Sequence, residues 1–213
     1  MTATAKPTTA RVLFVGNSFV SRNDLPSMVA DLAGAAGHRM EFDSIVAGGA
    51  SLRRHLNAGT IAKALKSSRW DQVVLQEQST LPVKNPARYH QNVRSVLSLP
   101  GFEKVRPVLY MTWAQRAAPH SQQQLTAAVH AIGMETGTAV APVGVAWQDV
   151  VGNHPEISLY ATDGIHPSRA GSWLAACVLY RTLFGETDLP ATASSGLGPE
   201  VTAVIVAAAK RVF

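Results

Sequence analysis

The stretch Arg11-Val12-Leu13-Phe14-Val15-Gly16-Asn17-Ser18-Phe19 decides how this chain is read. Residues 11–15 form a short β-branched, apolar run, too brief for a helix and of the kind that a strand buried within a sheet requires. Gly16 then lets the backbone turn sharply off the strand. Ser18 would project its hydroxyl over the sheet edge, ahead of a helix that begins near Asp24, Leu25 or Pro26. Taken alone, Gly-Asn-Ser is equally an ordinary turn with a helix cap, because Asn and Ser are common turn residues.

Similar apolar runs recur at 40–46, 72–76, 107–112 and 139–145. Between and after them lie stretches of helical period at 24–36, 51–56, 60–66, 86–99, 121–136, 168–184 and 199–211. Such alternation predicts βαβ units: one doubly wound α/β domain with about five parallel strands. Neither an internal repeat nor a low-complexity linker divides the chain, and 213 residues fit one domain, assigned to 11–213 after a disordered leader at 1–10. Open parallel sheets bind ligands outside the carboxyl ends of their strands, so the functional residues are expected just after each strand.

Composition narrows the function classes. A hydrophobic share of 46% with 15% charged residues is that of a globular protein. The formal charge of +5 is spread over scattered residues such as Arg22, Arg53, Arg54, Lys63, Arg94 and Lys210. No basic block interleaves with aromatics, so nucleic acid is not an expected partner, and the charge reads as a mildly cationic surface that suits anionic substrates. Cys177 lies in the apolar run 173–180, where packing explains it; a lone cysteine forms no internal disulfide. Residues 1–10, MTATAKPTTA, have no apolar signal core, and no run reaches the roughly 18 apolar residues of a membrane span. The chain as it stands is expected to be soluble and cytoplasmic, or secreted or periplasmic if a signal peptide has been removed. Histidines 38, 55, 90, 120, 130 and 154 lack metal-ligand spacing and read as surface or capping residues; no metal is expected. No Gly-x-Gly-x-x-Gly or Walker motif is present, so the fold is not expected to hold a nucleotide.

The strand ends carry the chemistry. After the second strand, Gly48-Gly49 offers bare N–H groups of the kind an oxyanion hole requires, or simply a loop. The third strand runs into Gln76 and Gln78, two amides that period-2 alternation places on one face; they can donate to a developing oxyanion or cap the strand end. Trp113 and Trp147 follow the fourth and fifth strands and read either as walls of a substrate pocket or as packing. In Asp163-Gly164-Ile165-His166 a carboxylate stands three residues before a histidine, with Gly164 letting the loop fold back. That spacing can hold Nδ1–H of the ring and aim Nε2 at a hydroxyl, or it is an Asp-Gly turn before a capped helix.

In this order, Gly16-Asn17-Ser18, Gly48-Gly49-Ala50-Ser51 and Asp163-Gly164-Ile165-His166 resemble the blocks of the SGNH (GDSL-type) hydrolase family, from residue 12 to about residue 184. The resemblance implies a three-layer α/β/α sandwich on a flavodoxin-like parallel sheet. It implies Ser18 as nucleophile, His166 as general base and Asp163 as its orienting partner, with the N–H groups of Ser18 and Gly49 in the oxyanion hole. Two blocks depart from the family pattern. Its Gly-Asp-Ser-Leu is Gly16-Asn17-Ser18-Phe19 here, and its Gly-x-Asn-Asp is replaced by Gln76-Glu77-Gln78. A glutamine there is similar to the variant of carbohydrate acetylesterase branches, so the third donor is expected to be Gln76 or Gln78. Gln76 is favoured because it lies nearer the apolar run Val73-Val74-Leu75. The implied activity is hydrolysis of short acyl esters, acetyl above all, on a small-molecule ester or acetylated carbohydrate, with no cofactor. Two alternatives stand beside it: an acyltransferase that passes the acyl group to a sugar hydroxyl, and a catalytically silent carbohydrate-binding protein of the same fold.

Overall fold

The computed structural model describes residues 8–190 and 193–213. Strands and helices alternate: β1 (Thr9–Gly16), α1 (Ser18–Ser21), α2 (Leu25–Ala35), β2 (Arg39–Val46), α3 (Leu52–Asn57), α4 (Thr60–Ser67) and β3 (Gln72–Leu75). Then come α5 (Leu81–Lys84), α6 (Pro86–Leu97), β4 (Arg106–Tyr110), α7 (Gln122–Thr136), β5 (Ala139–Ala141), α8 (Val143–Asn153), α9 (Arg169–Phe184) and α10 (Pro199–Arg211). All five strands are parallel, in the order β2-β1-β3-β4-β5.

Parallel strands covered on both faces must be apolar at successive positions, and these are. Val12, Phe14, Val74, Val108 and Tyr110 pack into one core with α2, α8, α9 and α10. Their neighbours Leu13, Val15, Val73, Leu75 and Leu109 pack into a second core with α3, α4, α6 and α7. The result is the α/β/α sandwich. Helix α9 is buried on all sides from Ala170 to Arg181, which accounts for its apolar sequence; Cys177 lies within it, and burial pushes its thiol pKa up. Arg181 keeps its charge inside the fold by donating from Nη1 to Ala209 O (2.7 Å) and Lys210 O (3.1 Å), carbonyls left over at the C-terminus of α10. Because β2 lies on one side of β1 and β3 on the other, the chain reverses its direction across the sheet between β1 and β3. That reversal opens a crevice at the carboxyl edge.

Three expectations are corrected. Residues 1–7 of the expected leader lie outside the described residues, but Thr9 and Ala10, also placed in it, already pair with Arg39 and Met40 of β2. The run at 139–145 is a strand only as far as Ala141. Pro142 supplies no N–H to extend the ladder, and Val143 opens a helix, so Trp147 lies inside α8 rather than in a loop after β5. Finally, of the histidines expected to be surface or capping residues, His38 and His55 are buried, so that only the capping alternative stands for them. Among the described residues no helix is long and apolar enough to cross a membrane.

Two glycines test the packing of α8 against α9. A Cβ on Gly171 would run into Leu159 O and the Trp147 ring, whereas one on Gly152 meets nothing within 4 Å. Gly171→Ala is expected to destabilise by about 1–3 kcal/mol, as overpacking does, lowering Tm by about 2–4 °C per kcal/mol in a domain of this size. Gly152→Ala should leave Tm unchanged or raise it, since alanine is the better helix former. Thermal unfolding of the two variants checks both signs.

Candidate active site

The site begins where β1 leaves the sheet. A Cβ on Gly16 would collide with Gln76 Oε1 and come within 2.8 Å of Val20 Cγ2, so the position accepts only glycine. The buried His55 donates from Nε2 to Gly16 O (2.8 Å). Asn17 is also buried, and its own N–H donates to Gln76 Oε1 (2.8 Å). Its Nδ2 donates to Ala50 O in the loop after β2 (2.9 Å), while Oδ1 accepts from Phe19 N (3.1 Å) and so caps α1. With its neighbours fixed in this way, Ser18 opens α1 at the rim of the crevice.

Across the crevice, Ser18 Oγ lies 2.9 Å from His166 Nε2. His166 Nδ1 lies 2.6 Å from Asp163 Oδ2, and Asp163 Oδ1 accepts from the N–H groups of Ile165 and His166, both at 2.9 Å. The bond to His166 and then those two N–H groups hold the Asp163 carboxyl well below the usual carboxylate range. It therefore stays anionic through the range in which aspartate ordinarily titrates. An anion there keeps the imidazole N–H on Nδ1 and leaves the Nε2 lone pair for the serine. The loop that carries these residues is suspended from several sides. Gly164 takes φ 68°, Arg116 N donates to Gly164 O (2.9 Å), and Trp113 Nε1 donates to Ile165 O (3.1 Å). From the nucleophile side, Asn23 Nδ2 reaches Pro167 O, Ser168 O and Ser172 Oγ, the last at 2.8 Å. Asn23 and Asp24 both have a φ of 54°, an uncommon backbone for residues other than glycine. The turn after α1 is thus held in a strained shape that lets Asn23 join the two halves of the site.

A groove of ≈450 Å³ surrounds these groups, lined by Ser18, Gly48, Gly49, Gln78, Gln115 and His166 among others. Ser18 and Gly49 both line it, and among the described residues neither backbone N–H has an acceptor. Gln78 Oε1 accepts from Thr80 N (3.1 Å) and Thr80 Oγ1 (3.0 Å), which fixes the amide with Nε2 as its unused donor. Three N–H donors at the groove beside a hydroxyl with a base attached is what acyl transfer requires.

The structure separates residues that the sequence grouped. Gln76 was the favoured third donor, but it is fully buried beneath Asn17, and its Nε2 donates to Glu77 O. Because β3 stops at Leu75, period-2 alternation no longer governs Gln76 and the two residues after it. Only Gln78 reaches the groove. Trp113 and Trp147 are buried and stacked on each other, with ring centroids 3.7 Å apart and planes 5° apart. Trp147 is core rather than pocket wall. Trp113 borders a neighbouring pocket of ≈280 Å³, but its indole N–H serves the His166 loop. His55, Asn23, Gln115 and Glu77 were not singled out for the site. Their common signal is a polar side chain close after a strand or in the helix that follows one. Among the described residues no three His, Cys, Asp or Glu side chains gather as a metal-ligand group.

Comparison with known proteins gives fold and family. No protein-family model and no curated sequence matches the chain. Among solved structures, a protein of Slackia heliotrinireducens classed as an SGNH hydrolase is 31% identical, with a TM-score of 0.70 over 82% of this chain and 99% of that one. A DUF4886 family protein of Bacteroides uniformis is similar at 20% identity and a TM-score of 0.76, covering 96% of this chain and 94% of its own. A family 3 carbohydrate esterase of Clostridium thermocellum shares the fold at 15% identity, with a TM-score of 0.64 over 83% of this chain and 96% of that one.

The place of Gln76 beneath the site can be measured as stability. Gln76→Leu keeps the volume but strands the buried Asn17 N–H, which costs about 1–3 kcal/mol when left unsatisfied. Chemical denaturation should report a loss of that size. An unchanged midpoint would mean that Asn17 N–H finds another acceptor.

Proposed function

The chain belongs to the SGNH hydrolase family, and from that premise we propose that it is a serine esterase that removes short acyl groups, acetyl above all, from carbohydrate hydroxyls. One observation carries the reading: the unbroken line from Ser18 Oγ through His166 to Asp163, at 2.9 and 2.6 Å, beside free N–H donors in an open groove. Ser18 Oγ attacks the ester carbonyl as His166 Nε2 takes its proton. The tetrahedral oxyanion is held by the N–H groups of Ser18 and Gly49 and by Gln78 Nε2. His166 then protonates the departing alcohol oxygen. Water, deprotonated by the same nitrogen, attacks the acyl-enzyme and releases the acid, and the proton returns to Ser18. Asp163 orients the ring and stabilises its charged form.

The carbohydrate side of the proposal is supported by the neighbouring pocket, which meets the groove at Ser79 and Gln115. Its lining includes Thr80, Ser121 and Gln124, hydroxyl and amide partners for a polyhydroxylated alcohol. The likeness in fold to a carbohydrate esterase points the same way.

A fluorophosphonate probe should label Ser18, and p-nitrophenyl acetate should be turned over. His166→Ala should then cost about 10³-fold or more in kcat while leaving the fold intact, since a broken triad retains only binding and oxyanion stabilisation. Labelling of Ser51 or Ser79 instead would remove the assignment. Gln78→Ala should lower kcat by about 10²–10³ with KM little changed, the loss typical of one oxyanion donor. Normal kcat in that variant would leave the hole to backbone groups alone.

A further inference from the structure

We propose that Glu77 is a positioning residue whose carboxyl clamps the loop after β2 to the loop after β3, fixing Gly49 and Gln78 on opposite sides of one oxyanion. This rests on reading the groove as an esterase site. Glu77 is 5% exposed and makes no contact with the groove. Its Oε1 accepts from two N–H groups at once, Leu52 N (3.0 Å) and Gln78 N (2.7 Å). The first belongs to the residue three positions after Gly49, at the start of α3; the second is the backbone of the proposed side-chain donor itself. A single oxygen shared by two loops sets their separation directly. The other oxygen, Oε2, accepts from Asn92 Nδ2 (2.9 Å), and Asn92 Oδ1 accepts in turn from Arg53 Nε (3.0 Å). The clamp is thereby tied to α6 and α3, both outside the groove.

A buried carboxyl is a costly way to fill space. Burial raises the Glu77 pKa, only partly opposed by its hydrogen bonds to Asn92, Gln78 and Leu52 and by the Arg53 charge. Where volume alone is needed, an apolar side chain does as well or better. What an apolar side chain cannot do is accept two N–H groups from different loops. Asn17 performs the complementary task from below, donating to Ala50 O in the same loop after β2. The proposed oxyanion donors, though on three separate segments, are in this way referred to one buried polar network.

Two substitutions separate the clamp from the charge. Glu77→Gln keeps the length and one oxygen able to accept both N–H groups, but turns an amide toward Asn92. It should lose stability yet retain kcat on p-nitrophenyl acetate to within about threefold, which is under about 1 kcal/mol in the barrier. Glu77→Asp keeps the charge but is one methylene too short to serve both loops. Its kcat should fall by about 10- to 100-fold, as small misplacements of catalytic groups do, with KM little changed. Amide hydrogen exchange at Leu52 and Gln78 should quicken in Glu77→Asp and not in Glu77→Gln. The inference is overturned if Glu77→Asp outperforms Glu77→Gln, if folded Glu77→Gln loses tenfold or more in kcat, or if exchange at the two amides ignores both changes. Lack of turnover and of Ser18 labelling in the unaltered protein would instead defeat the esterase reading, while the exchange rates would still judge the clamp.

Discussion

Where β1 runs out, its peptide groups lose the ladder that satisfied them, yet they remain inside the protein. The hydrogen bond from Asn17 N to Gln76 Oε1 answers that constraint, and much of the carboxyl edge is arranged around it. Gly16 must lack a side chain because Gln76 occupies the space a Cβ would need, and the buried His55 adds a second donor to Gly16 O beside the Ala47 N–H. Once Asn17 is held by its backbone, its side chain is free to cap α1 and to reach the loop after β2. The hydroxyl of Ser18 is therefore placed by a buried hydrogen-bond network beneath it.

The opposite wall is built on different principles. The Asp163–His166 segment is a loop with no strand or helix of its own, partly exposed to solvent. It keeps its shape by local hydrogen bonds, a left-handed glycine and three outside supports, from Trp113, Arg116 and Asn23. Two of those supports come from the segment after β4 and the third from the turn after α1. Motion of either wall relative to the other is thus resisted by side chains from both, which suits a site in which an Oγ–Nε2 separation has to be kept.

The two carboxyls near the site illustrate how environment sets the part a residue plays. Asp163 is open to solvent and surrounded by donors, so its anion is favoured and it can balance a positive imidazole. Glu77 has donors too, but burial dominates and raises its pKa. The first is suited to answering a charge that appears during reaction, the second to holding backbone in place.

The α/β class, the five-strand parallel sheet and the segments that carry Ser18, Gly49, Asp163 and His166 were legible in the sequence. Each depends on local features: apolar runs of strand length, a glycine where a strand ends, an aspartate three residues before a histidine. The end of β5 at Pro142 was legible in principle, and was missed because β-branched residues continue past the proline into α8. What could not be read was the choice between Gln76 and Gln78, the stacking of Trp113 on Trp147, and the burial of His55 and Glu77. None of these is a property of the residues' own neighbourhood in the chain. Gln76 turns inward because the N–H of Asn17, 59 residues earlier, needs an acceptor at that point in space, and Gln78 reaches the groove because the strand has already ended. Periodicity fixes which face a side chain takes only while the ladder lasts; beyond it, the unpaired polar groups of other segments decide.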